Sequence, residues 1–212
     1  TLRAAERRGG FVAAGLGMSF DRFDPRAVEY AATQSARLIT QVELATQAAV
    51  RAMVASAFTE GLTAASLARL IEQRVGLRTD QLAALERFAA GPKATEAGAA
   101  RYAKRLKRQR ARLIARTETM RSSNEGARQL WLQARDKGLI DRNQKRVWID
   151  SRDGDVRPEH AAAHGQVVGI EEPFVVADGS TEPGQAPNCR CVQALATEKD
   201  VAADSGRRST DA

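Results

Sequence analysis

Every cysteine and every histidine of this 212-residue chain falls between residues 160 and 191: His160, His164, Cys189 and Cys191. With Asp153 and Asp155 close by, these side chains have metal-ligand character, because zinc takes N, S and carboxylate O donors in a tetrahedron. The Cys189-Arg190-Cys191 spacing is tighter than the roughly two- to four-residue gap of ordinary zinc sites. A disulfide across one intervening residue would also meet the required Cα separation and dihedral badly. The preferred reading is a compact buried turn of Asn188, Cys189 and Cys191 in which the thiols act as small apolar groups, with His160 hydrogen-bonded to Asp153 to lock the loop. No cofactor is expected on that reading. Zinc on His160, Cys189 and Cys191 is the alternative.

Catalysis has a thinner basis. Cysteine beside histidine suggests a nucleophile with its base, and Asp, Glu and His together suggest a metal-dependent nuclease. The chain has no phosphate loop, nucleophile elbow or HExxH helix. Asp153, Asp155 and Glu159 before His160 read as turn chemistry and helix N-terminal charge. The expectation is a protein that is not an enzyme, with a metal-dependent hydrolase or nuclease using Asp153, His160, Cys189 and Cys191 as the rival.

The elements that must position these groups follow from composition and periodicity. Hydrophobic residues make up 43% and aromatics only 5%, which favours small helix formers over sheet formers. Residues 26–58 contain no Pro or Gly and carry apolar residues at Val28, Ala31, Leu38, Val42, Leu44 and Val50. That spacing predicts a long helix capped by Asp24 with Pro25 at its first position. Gly61 ends it, Thr63 caps a second helix carrying Leu67, Leu70, Ile71 and Val75, and Gly76 closes that one. A third helix is predicted over 79–90. The Gly76-Leu77-Arg78 joint resembles a helix-turn-helix, but two small helices packing on a long one is the simpler account.

After Gly91-Pro92, a helix is predicted from about Thr95 to Lys137, stopped by Gly138. Residues 101–116 hold eight Lys or Arg and no Asp or Glu; taking those eight from the net charge of +7 leaves −1 for the remainder. On a helix, Tyr102, Leu106 and Leu113 share an apolar stripe while Arg101, Lys104, Arg105, Arg108 and Arg112 face the other way. These five and Lys107 are the candidate DNA-binding residues. They would contact phosphates, because the one interleaved aromatic, Tyr102, sits on the apolar stripe and base stacking is not expected.

Beyond residue 145 the pattern changes. Residues 145–150, 165–170 and 174–176 read as short strands between turns. Residues 158–164 form a Pro-initiated helical turn ended by Gly165. Residues 192–212 thin into a frayed, flexible tail. The fold class is α+β: a long-helix-rich N-terminal region, then a small mixed α+β domain, divided as 1–92, 93–193 and a tail over 194–212. No apolar run approaches the roughly 20 residues of a membrane-spanning helix. Because residue 1 is Thr, a processed or partial product is expected.

The sequence Ala115-Arg116-Thr117-Glu118-Thr119, then Asn124, Trp131, Gly138, Trp148, Asp153, Arg157, His160, Gly165 and Pro183, ends in Ala186-Pro187-Asn188-Cys189-Arg190-Cys191. In order and spacing this resembles the signature of the phage Mu F-type minor head proteins, the phage head morphogenesis family, over roughly residues 110–193. His164 departs from the pattern, which argues against its being an essential ligand. The resemblance implies a low-copy minor capsid protein of a tailed phage or phage-like particle. It would lie inside the head near the portal vertex, and in the host cytoplasm during assembly. Its implied partners are the portal protein, phage DNA held non-specifically by its backbone, further copies of itself and other head or ejection proteins. Its implied work is head assembly and DNA packaging or ejection. The 1–92 region is then the docking part, and Trp148, Asp153, Arg157, His160, Asn188, Cys189 and Cys191 the cluster that holds the small domain together.

Overall fold

The computed structural model describes Glu29 and residues 44–210. The cap at Asp24 and Pro25, and the course of the first helix up to residue 43 apart from Glu29, lie outside the described residues. From there the mixed α+β class expected from sequence is what the chain adopts, with helices in the majority. No described helix is long and apolar enough to cross a membrane.

Among the described residues, those up to Thr119 form one compact unit and those from Met120 a second. The boundary falls inside the longest helix, not at Gly91-Pro92 where the sequence divided 1–92 from 93–193. A Gly-Pro pair interrupts a helix, but shared apolar burial decides which residues belong together. Helix α1 (Leu44–Glu60) contributes Val50, Val54 and Ala57 to a core with Leu67, Ala68 and Ile71 of α2 (Ala64–Glu72). Val75 joins them, with Ala111, Ile114 and Ala115 of α4 (Glu96–Asp136). The start of the long helix therefore belongs to the first unit.

Local signals set the ends of these helices. Gly61 takes φ +70°, and Leu62 N–H closes back on Ala57 O at 2.8 Å, the αL ending that glycine allows. Thr63 Oγ1 accepts Ser66 N–H at 3.2 Å as the cap of α2. The Gly76 joint is tied to the long helix: Arg110 Nη1 donates to Gly76 O at 2.9 Å, and Gln81 Nε2 to Leu106 O at 3.2 Å from α3 (Thr79–Ala89). Thr95 Oγ1 accepts Gly98 N–H at the start of α4, whose 41 residues span about 60 Å. At its far end Gly138 turns the chain at φ +70°.

The second unit is built on a three-stranded antiparallel sheet ordered β2-β1-β3. Its central strand β1 (Lys145–Ile149) pairs Arg146 with Val168 of β2 (Val167–Gly169) and Trp148 with Gln193 of β3 (Val192–Leu195). Alternation sends Arg146 and Trp148 to one face and Val147 and Ile149 to the other. The first face carries a core of Trp148, Val168, Phe174, Val176, Cys189 and Cys191; the second packs Val147, Val167 and Ala194 with Ile149 and Val201. Between the strands sits α5 (Pro158–Ala162), and Gly165 leaves it at φ +78°.

Two expectations are corrected. Residues 174–176 form no strand. Gln166 instead plays the missing neighbour with its side chain, accepting Val175 N–H at 2.7 Å and donating to Val175 O at 3.0 Å. The frayed tail expected over 192–212 is not what residues 192–210 form: 192–195 make β3, and α6 (Glu198–Thr210) follows, with Thr197 as its cap through Asp200 N–H. Polar composition suggested disorder, but Val201 packs against the second face of the sheet and Asp204 is buried. A few contacts that cover an otherwise open sheet face are enough to order a polar segment.

Candidate functional site

The end of the sheet brings together what the sequence spread over thirty residues. Arg157 in extended backbone and Pro158 at the first helical position start α5, which buries His160 to 2% exposure. Asn188 takes φ +60°, a left-handed conformation that Asn tolerates better than most residues. The turn that follows, Cys189 N–H to Ala186 O at 3.1 Å, points both sulfurs inward, at 3% and 2% exposure. Cys189 Sγ lies 3.3 Å and Cys191 Sγ 3.4 Å from the same atom, His160 Nδ1. Both cysteines are free thiols.

The other ring nitrogen of His160 does not meet Asp153, as the sequence suggested, but Asp178: Nε2 to Oδ2 is 2.8 Å. Asp178 opens a tight turn in which Gly179 has φ +80° and Ser180 N–H donates to Asp178 Oδ1 at 2.9 Å. Read from sequence, Asp178-Gly179-Ser180 is only a turn, so the carboxylate that orients the imidazole was missed. Asp153 is engaged elsewhere: Arg190 Nη2 meets its Oδ1 at 2.6 Å, with Asp155 at 3.5 Å from Arg190 Nη1. Arg157 donates to Pro187 O at 2.7 Å. Asp153 and Arg157 thus clamp the cysteine turn from outside, and exposed Asn188 shapes it. His164 stands apart, within 3.1 Å of Asp150 and 2.7 Å of Arg152.

The electrostatics follow from this packing. Burial opposes ionisation of Asp178, yet hydrogen bonds from Ser180 and His160 together hold its carboxyl below the usual range. A hydrogen bond from Cys191 lowers the Cys189 thiol to about 5 against the cost of burial, while the same bond and its own burial push Cys191 upward. Trp148 closes the cluster, its ring edge-on to His160 at 5.5 Å and to Phe174 at 5.3 Å.

Sequence reasoning also missed the buried guanidinium beneath this core. Arg146, 0% exposed, lies 4.5 Å over the Phe174 ring and pairs with Glu182 through both Nη atoms. It also donates to Gln193 Oε1 at 2.6 Å and to Glu172 O. In the sequence it is one more cation in an alternating strand. Asn124 of α4 joins the same unit, donating through Nδ2 to Pro183 O and Cys191 O and accepting Gln193 N–H.

The cationic face belongs to the first unit. Arg101, Lys104, Arg105, Arg108 and Arg112 are all exposed and, at about 100° per residue, fall within about 100° of one another. Arg108 leans toward Glu72 at 3.7 Å. Among the described residues no carboxylate pairs with Arg101, Lys104, Arg105 or Arg112. Lys107 departs from the outer face: half-buried, it lines a groove of about 640 Å³ with Arg69, Glu72 and Lys104. Tyr102 stacks on Phe88 at 4.8 Å and carries the Arg105 guanidinium over its ring, so it is not offered to bases.

No curated protein and no solved structure is significantly similar to the chain. The profile of the family described as Phage Mu protein F like protein matches residues 47–194, from within α1 to the third residue of β3. The chain therefore belongs to the phage Mu F-like family and is a phage head-related protein.

Proposed function

We propose that the protein is a non-enzymatic minor component of the phage head, placed inside the head at the portal vertex, where it assists assembly and the packaging or ejection of DNA. The observation that carries this reading is the single-sided run of Arg101, Lys104, Arg105 and Arg112, exposed and without carboxylate partners among the described residues. A regular helix with cations on one face suits a phosphate backbone and reads no sequence. Docking on the portal protein, on further copies or on other head proteins falls to the N-terminal helices. Leu62, Leu70, Leu82 and Phe88 are all more than a third exposed there and are apolar side chains that such docking would cover. Burial of both sulfurs, and the capture of Asp153 by Arg190, support this scaffold reading over the hydrolase.

The test is a salt titration of binding to two duplexes of unrelated sequence. Four phosphates engaged give a log-log slope of about −3.6, or roughly a 150-fold loss of affinity between 50 and 200 mM salt. Both duplexes should bind alike. The Arg101→Ala/Arg105→Ala/Arg112→Ala variant should bring the slope to about −0.9. A flat salt dependence, or an unchanged slope in the variant, overturns the DNA part. Plasmid cleavage with a divalent metal, lost in His160→Ala, would establish the hydrolase instead.

A further inference from the structure

We propose that His160 Nδ1, Cys189 Sγ and Cys191 Sγ bind one zinc-class divalent ion, the fourth tetrahedral position being left to an outside donor, a water in the isolated protein. The three donor atoms lie within 4.8 Å of one another, on residues no more than 3% exposed. Zinc bonds of about 2.0 Å to nitrogen and 2.3 Å to sulfur in a tetrahedron place N and S about 3.5 Å apart. The observed separations of 3.3 and 3.4 Å are already close to that bite.

Both sulfurs converge on one ring nitrogen. A neutral imidazole whose Nε2–H goes to Asp178 offers a single lone pair there, on Nδ1. A divalent ion seated among the three donors would bind both sulfurs as thiolates and release the remaining thiol proton to solvent. The surroundings suit a sulfur anion: Cys191 N–H donates to Cys189 Sγ at 3.3 Å, and the buried indole N–H of Trp148 has no hydrogen-bond partner. Asp178, anchored by Ser180 N–H, fixes the tautomer that turns Nδ1 inward, the role a carboxylate takes behind a metal-bound histidine. A nucleophilic Cys-His-Asp site would need one thiol and an open approach to it. Here two thiols share the imidazole and neither is open. Soft donors of this kind select zinc over magnesium or calcium, and the ion would staple α5 to the turn after Pro187.

The experiment uses tag-free full chain purified without chelator. Elemental analysis should find about one zinc per chain. Replacing it with Co2+ should give the intense visible d–d bands of a tetrahedral site and a near-ultraviolet sulfur-to-cobalt charge-transfer band. Cys189→Ser should lose both. Because that variant could fail to fold, Asp178→Asn is the second arm: it keeps all three donors and should weaken metal affinity by about 10- to 100-fold. Sub-stoichiometric zinc together with a cobalt spectrum lacking the sulfur band overturns the proposal, as does an Asp178→Asn variant of unchanged affinity. Neither readout involves DNA or the portal, so this inference and the proposed function fail separately.

Discussion

Replacing Asn124 by Ala tests how the second unit is held together. The side chain sits 5% exposed on the long helix and serves three backbone groups from distant parts of the chain: Pro183 O at 3.0 Å, Cys191 O at 3.1 Å and Gln193 N–H at 3.2 Å. Alanine leaves all three without a partner, and each orphaned buried group costs about 1 to 3 kcal/mol. Taking the low end for each, because Pro183 and Cys191 sit in turns that can shift, the loss is about 3 kcal/mol. With a urea m-value of about 1.5 kcal/mol/M this moves the unfolding midpoint down by about 2 M. Both tryptophans of the chain, Trp131 and Trp148, lie in this unit and are buried. Their emission therefore follows its unfolding without interference from the first unit. Asn124→Asp sharpens the test: it keeps the shape but turns the Nδ2 donor into an acceptor facing two carbonyls, so it should be no more stable than the alanine variant. A loss below about 1 kcal/mol for Ala, or an Asp variant as stable as the parent, would refute the reasoning.

The same assay applies to Arg146→Met, which leaves Glu182, Gln193 Oε1 and the Glu172 carbonyl without their shared donor. Glu182 is a third exposed and can turn to water, so the loss comes mainly from the two other acceptors at about 1 to 3 kcal/mol each, and Arg146→Lys should recover only part of it because an ammonium cannot make the two-pronged contact. A loss under about 1 kcal/mol would show that the guanidinium is dispensable. The Arg135 hydrogen bond holds the Glu171 carboxyl below its usual range. Its contribution is therefore present above the ordinary carboxylate range and is lost as pH falls through the lowered value. The stability difference between the parent and Glu171→Gln should exist near neutrality, shrink with salt and vanish in acid; a difference that survives in acid assigns it to packing.

Much of the helical part was legible because its signals are local. Thr63, Gly61 and Gly138 mark helix ends through backbone conformation and one or two hydrogen bonds within a few residues. The exposed set Arg101, Lys104, Arg105, Arg108 and Arg112 follows from helical period alone. Lys107 and Arg110 did not follow, since half-burial in a groove and donation to Gly76 O depend on where α2 ends. Tail residues were misread for a related reason: composition reports how much apolar surface a segment has, not whether a sheet face waits to receive Val201.

In the small domain the sequence by itself determined the donors and their order: His160 on a Pro-started turn, then two cysteines one residue apart, with Trp148 on a strand before them. Only the tertiary structure decided that both sulfurs share a single ring nitrogen and that Asp178, not Asp153, stands behind the imidazole. Local chemistry sets which turns can form, because φ, ψ and capping act over a few residues. Which carboxylate faces a buried ring is set by the packing of segments 18 residues or more apart, where aspartates that look alike in sequence are told apart by the neighbours that reach them first.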